Sequence, residues 1–250
     1  MASWSHPQFE KGAMTARKVD YTDGATRCIG EFHWDEGKSG PRPGVVVFPE
    51  AFGLNDHAKE RARRLADLGF AALAADMHGD AQVFDAASLS STIQGYYGDR
   101  AHWRRRAQAA LDALTAQPEV DGSKVAAIGF CFGGATCLEL ARTGAPLTAI
   151  VTFHGGLLPE MAGDAGRIQS SVLVCHGADD PLVQDETMKA VMDEFRRDKV
   201  DWQVLYLGNA VHSFTDPLAG SHGIPGLAYD ATAEARSWTA MCNLFSELFG

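Results

Sequence analysis

The segment Gly129-Phe130-Cys131-Phe132-Gly133 joins an unbroken apolar run, 125–128, to a run of helical character, 134–142. A small residue on either side of a central side chain permits a tight strand-to-helix turn that presents that side chain at the end of a sheet strand. Cysteine occupies the place where serine is usual, and a thiol there is suited to nucleophilic catalysis. A turn of this kind needs a buried strand feeding a helix, which constrains the chain to a layered α/β architecture.

The rest of the sequence follows that pattern. An opening hairpin is expected over 19–23 and 26–34, turning at Asp23-Gly24. Short apolar strands are expected at 45–48, 71–75, 125–128, 149–153, 172–175 and 202–207. Such runs suit strands covered on both faces of a mostly parallel sheet. Helices are expected over 56–68, 100–116, 134–142, 185–198 and 228–248, with Asp56 capping the first and Gly69 ending it. The stretch 79–100, rich in Ser, Gly and aromatic residues, reads as an irregular cap or rim. Residues 1–13, containing Trp4-Ser5-His6-Pro7-Gln8-Phe9-Glu10-Lys11, read as an affinity tag and linker, leaving 14–250 as one domain.

Composition narrows the function. Hydrophobic content is 46% and the formal charge is −10, with the acidic excess dispersed. That argues against a general nucleic-acid surface and against attraction to acidic membranes. The Arg104-Arg105-Arg106 run reads as one solvated helix face. The five cysteines, Cys28, Cys131, Cys137, Cys175 and Cys242, have no C-x-x-C spacing, and no segment resembles a signal peptide or membrane span. A cytoplasmic protein with reduced thiols is expected. His57, His78, His154 and His222 form no metal-binding pattern, so no metal and no other cofactor is expected.

Two further residues complete a catalytic order. Asp180 lies in His176-Gly177-Ala178-Asp179-Asp180-Pro181, just past the strand ending at Cys175. His212 lies in Ala210-Val211-His212-Ser213-Phe214, past the strand 202–207. Nucleophile, acid, histidine is the α/β-hydrolase chain order. Cys131 would attack, His212 would move protons, and Asp180 would orient the imidazole. The backbone N–H groups of Phe132 and Ala51 are expected to form the oxyanion hole.

On these residues the chain resembles the dienelactone hydrolase family over about 21–249. The supporting motifs are Pro49-Glu50-Ala51-Phe52-Gly53-Leu54, Asp76-Met77-His78-Gly79, the cysteine elbow, the loop 176–181 and His212-Ser213-Phe214. The resemblance implies the Cys131, Asp180 and His212 roles and adds Glu50 as a participant in thiol activation. It also implies two arginines gripping a substrate carboxylate, but Asp80 and Asp216 stand at those positions. Either Arg100 or Arg142 would have to compensate for an anionic substrate to be held. The expectation is therefore an esterase or lactonase for small neutral substrates, with Phe52 and Phe132 furnishing an apolar wall, acting as a monomer. A carboxymethylenebutenolidase cleaving an anionic lactone is the alternative, and a non-catalytic or regulatory protein on the same scaffold is the third reading.

Overall fold

The computed structural model describes residues 14–250, so the expected tag and linker lie outside the described residues. Two long strands, β1 (Met14–Asp23) and β2 (Thr26–Asp35), form the opening antiparallel hairpin. The parallel part is built from β3 (Arg42–Phe48), β4 (Ala71–Ala74), β5 (Val120–Phe130), β6 (Ala149–Phe153), β7 (Ser171–Gly177) and β8 (Trp202–Leu207). The order across the sheet is β1-β2-β4-β3-β5-β6-β7-β8, with β2 antiparallel to β4 and every later pair parallel. The connecting helices are α1 (Asp56–Asp67), α2 (Leu89–Gly98), α3 (Arg100–Thr115), α4 (Phe132–Ala141), α5 (Asp185–Asp198) and α6 (Ala231–Phe249). This mostly parallel sheet flanked by helices is the α/β-hydrolase arrangement.

Alternation of side chains across the strands makes two cores. One face of β3 and β5 sends Val46, Phe48, Val125 and Ala127 toward Trp103, Leu111 and Leu138 of α3 and α4. The other sends Val45, Val47, Ala126 and Ile128 toward Leu65 of α1 and Met241 and Phe245 of α6. The central strands are apolar on both sides because both sides are covered.

Three local expectations change. The cap of α1 is Asn55, whose side chain accepts from the Ala58 N–H at 3.1 Å, so Asp56 is the first helical residue and sits favourably near the dipole's positive end. The strand through 125–128 starts five residues earlier, at Val120, because Arg42 and Pro43 pair with Val120 and Asp121 before a register break. The expected irregular stretch contains α2, which buries Tyr96 against Phe132, with ring centroids 4.9 Å apart.

Candidate active site

The elbow is strained where chemistry would be carried. Cys131 has φ 52° and ψ −114°, a conformation costly for any residue with a side chain. Neighbouring backbone holds it there. The Cys131 N–H donates to the Phe153 carbonyl at 3.0 Å, while its own carbonyl accepts from Gly134 and Gly156 N–H groups, each at 3.0 Å. The flanking glycines answer to close approach. A Cβ on Gly129 would stand 2.0 Å from the Gly133 carbonyl oxygen, and one on Gly133 would stand 2.1 Å from that of Phe48. Close packing of Gly133 on the end of β3 brings the elbow against the loop that starts with Pro49 and Glu50.

His212 and Asp180 lie against each other. His212 Nδ1 is 2.7 Å from Asp180 Oδ2, and both side chains are almost fully buried. The other imidazole nitrogen, Nε2, is buried without a hydrogen-bond partner among the described residues. Burial alone would lower the His212 pKa, but the negative charge of the nearby Cys131 sulfur and the bond to Asp180 outweigh it and push it up to about 10. The sulfur acts on the ring first through its charge and then as a loosely aligned hydrogen-bond partner, as is common before substrate tightens a site.

The two expected oxyanion donors belong to different segments, Phe132 to the elbow and Ala51 to the loop after β3. Phe132 is the first residue of α4, where backbone N–H groups have no intrahelical carbonyl. Ala51 is buried, and His78 Nε2 donates to its carbonyl at 2.9 Å, fixing the Ala51–Phe52 peptide. The Phe132 ring is not an apolar wall: it is buried flat under Trp103, at 5.0 Å and 7° between planes. Trp103 in turn donates from Nε1 to Thr136 Oγ1 at 2.9 Å. Tyr97 does reach the site: burial and the nearby Cys131 charge push its phenol up to about 12.

Glu50 is fully buried and its Oε1 lies 2.7 Å from His57 Nδ1. Burial would raise the Glu50 carboxyl, but the His57 charge reverses that and holds it below its ordinary value. The same partnership raises His57 against the effect of its own burial. His57 is thus the buried partner of Glu50, a pairing the sequence did not reveal, since an isolated histidine at the start of a helix carries no motif.

Of the two positions where the resemblance implies arginine, Asp80 is exposed and 3.8 Å from Arg27. Asp216 is buried; its Oδ1 accepts from the Leu218 N–H at 2.8 Å and its Oδ2 lies 3.1 Å from His222 Nε2. His222 stacks on Phe52 at 4.2 Å. Phe52, Val83, Phe84, Asp216, Leu218 and His222 line a groove of about 430 Å³ beside the Ala51 loop. The two candidate compensating cations are engaged elsewhere. Arg142 is buried between Glu139 and Glu194, at 2.8 and 2.6 Å, and Arg100 donates to the Pro159 carbonyl at 2.8 Å.

Residues 32–249 match the model of the dienelactone hydrolase family. The protein named m3DLH has a solved structure that superposes with a TM-score of 0.94 at 66% identity, covering 96% of this chain and all of that one. A putative carboxymethylenebutenolidase of Yersinia pestis is 26% identical over 230 residues, covering 84% of this chain and 79% of the relative. An uncharacterized protein of Caenorhabditis elegans is 38% identical over 151 residues, covering 58% of this chain and 92% of its own length.

Proposed function

Because the chain belongs to the dienelactone hydrolase family and is a cysteine-type esterase or lactonase, we propose that Cys131, His212 and Asp180 cleave its substrate through a thioester intermediate. The observation that carries this reading is the buried His212, bonded to Asp180 through one nitrogen and left unpartnered at the other, with the Cys131 sulfur raising its pKa to about 10. A thiolate is the nucleophilic form of cysteine, and an imidazolium beside it favours that form.

The thiolate attacks the ester or lactone carbonyl, forming a carbon–sulfur bond. The oxyanion is received by the N–H groups of Ala51 and Phe132, each worth about 3 kcal/mol in the transition state. His212 gives its proton to the departing alkoxide as the carbon–oxygen bond breaks. Once sulfur is acylated it carries no charge, so the influence that raised His212 disappears. The now neutral imidazole can take a proton from water, which attacks the thioester and returns the thiolate. Asp180 keeps the ring in one tautomer throughout. Glu50, kept ionised by His57, takes part in activating the thiol next to the oxyanion loop.

For the substrate, the name carried by the Yersinia pestis relative supports a lactone of the carboxymethylenebutenolidase kind, an anionic compound, over the small neutral substrates expected from sequence. In this reading His222 receives the carboxylate; what supports it is that His222 lines the groove, is held by Asp216 and is stacked on Phe52. A second reading keeps neutral substrates, and a specific observation favours it. Asp56 and Asp85 line the same groove with Asp216, and three carboxylates repel an anion unless His222 is protonated. Hydrolysis of an anionic dienelactone, neutral lactones and short aryl esters, compared with the Cys131→Ala variant, decides between them. Cysteine-dependent cleavage led by the dienelactone supports the first reading; turnover confined to neutral compounds supports the second.

A further inference from the structure

His154 follows the last residue of β6 and is entirely buried, yet neither the triad nor the oxyanion hole uses it. Its backbone N–H donates to the Cys175 carbonyl at 2.9 Å, fixing it to β7. Its ring lies between the two elements that must cooperate. Nδ1 accepts at 3.2 Å from the Cys131 N–H, which it shares with the Phe153 carbonyl, and Nε2 is 2.7 Å from Thr215 Oγ1. Since Nδ1 accepts from a backbone amide, the ring proton sits on Nε2 and is donated to Thr215. Thr215 lies three residues beyond His212, and its carbonyl accepts from Arg61 Nη2 at 2.6 Å, which anchors that loop to α1.

The groups around the ring allow this one state. His212 lies edge-on at 5.3 Å, Phe214 at 5.0 Å and Phe130 at 6.1 Å. Burial opposes a charge on His154, as do the positive fields of His212, and of His57 and Arg61 on α1. A second cation there would also compete with the His212 imidazolium for the single charge on Cys131.

We infer that His154 and Thr215 form a positioning bracket, in which a neutral imidazole ties the backbone of Cys131 to the loop carrying His212 and so fixes the distance between sulfur and Nε2. The bracket spans a real gap. Cys131 follows β5 and His212 follows β8, and β6 and β7 lie between them in the sheet. Both partners sit on loops, and an error near 1 Å in their separation costs about 100-fold in rate. The bracket rests on the proposed roles of Cys131 and His212.

The test uses Thr215→Val, which removes the acceptor while nearly preserving shape, and Thr215→Ser, which restores it. The bracket predicts that Thr215→Val lowers kcat between about 10- and 100-fold with KM within about twofold. It also predicts that the pH profile of Cys131 alkylation by iodoacetamide moves toward that of His212→Ala, and that Thr215→Ser recovers both. Parent-like kcat and alkylation in a folded Thr215→Val protein would overturn it. Nitrogen-15 spectra of the parent imidazoles give a reading independent of any variant's folding. They should show His154 neutral with its proton on Nε2 across pH 6 to 9, and a proton on Nδ1 would equally overturn the bracket. If Cys131→Ala retains full turnover, the thioester reading itself fails; if it is inactive while Thr215→Val behaves as the parent, the bracket alone fails.

Discussion

Asp180 Oδ2 and His212 Nδ1 stand 2.7 Å apart in a site closed to solvent, and the free nitrogen of that same ring is left to the Cys131 sulfur. The acid fixes the tautomer, and the charge on the sulfur is the largest single attraction for the second proton. The pair therefore belongs to one electrostatic unit rather than to two independent contacts.

This unit sets a pH dependence. The His212 pKa is raised to about 10 in the folded chain. A raised histidine contributes stability that is fully present below its ordinary value of 6.5 and is lost as pH rises through about 10. Because kcat/KM reports ionisations of the free enzyme, its alkaline limb should fall near pH 10. Asp180→Asn should move that limb to lower pH and reduce kcat/KM by about 1000-fold or more. A pH–rate profile on one ester checks both.

Gly133 has no room for a side chain. A Cβ there would meet the carbonyl oxygens of Phe48 and Pro49 at 2.1 and 2.6 Å, and both are backbone atoms just ahead of the oxyanion loop. Gly133→Ala should displace that loop and cost about 100-fold in kcat, the size of losing one oxyanion donor. Circular dichroism alongside steady-state kinetics separates this from unfolding.

Arg142 holds structure rather than substrate. Its guanidinium, fully buried, satisfies Glu139, Glu194 and the Leu158 carbonyl. Arg142→Met leaves the buried Glu194 carboxylate without its partner, while Glu139 keeps Arg104 at 2.8 Å, and should cost about 3–5 kcal/mol of stability in urea unfolding. KM for an anionic lactone should be unchanged in any fraction that folds.

His222 carries the proposed substrate preference. His222→Gln should raise KM for an anionic dienelactone by about tenfold, the scale of one charged hydrogen bond. KM for a neutral aryl ester should stay within twofold. The anionic effect should also shrink at high salt, because the groove is open to screening.

Much of this molecule is legible in its residues, and the gaps have physical causes. The apolar run at 149–153 coincides with β6, since a strand covered on both faces has no alternation to blur its ends, and the segment 202–207 coincides with β8, the partly exposed edge strand. The start of β5 is hidden because Asp121-Gly122-Ser123-Lys124 is polar, and only pairing with Arg42 and Pro43 makes it strand. Helix α2 is hidden because Ser, Gly and Tyr are weak helix formers, and packing of Tyr96 on Phe132 and Trp103 decides the matter. Asn55 and Asp56 are equally good caps, so only geometry assigns the role.

The site divides in the same way. Cys131, Asp180 and His212 could be named because each sits in a local motif after a strand. His154 and Thr215 could not be given their roles, because the groups they bond lie 23 to 158 residues away in the chain, and His57 could not because no motif pairs it with Glu50, close as the two are in sequence. The available signal for His154 was its place at the C-terminal end of a parallel strand, where sheets of this kind carry their chemistry. The Phe132 side chain misled for a related reason: its motif position fixes where its N–H points, while its ring is claimed by Trp103.

The most direct test of the central claim is to mix the protein with a slow aryl ester, quench in acid and weigh the intact chain and its peptides by mass spectrometry. The thioester account predicts one acyl group per chain, on the peptide containing Cys131, released by hydroxylamine and absent from Cys131→Ala. An unmodified Cys131 during steady turnover, or an acyl group trapped on another residue with Cys131→Ala still active, would contradict it.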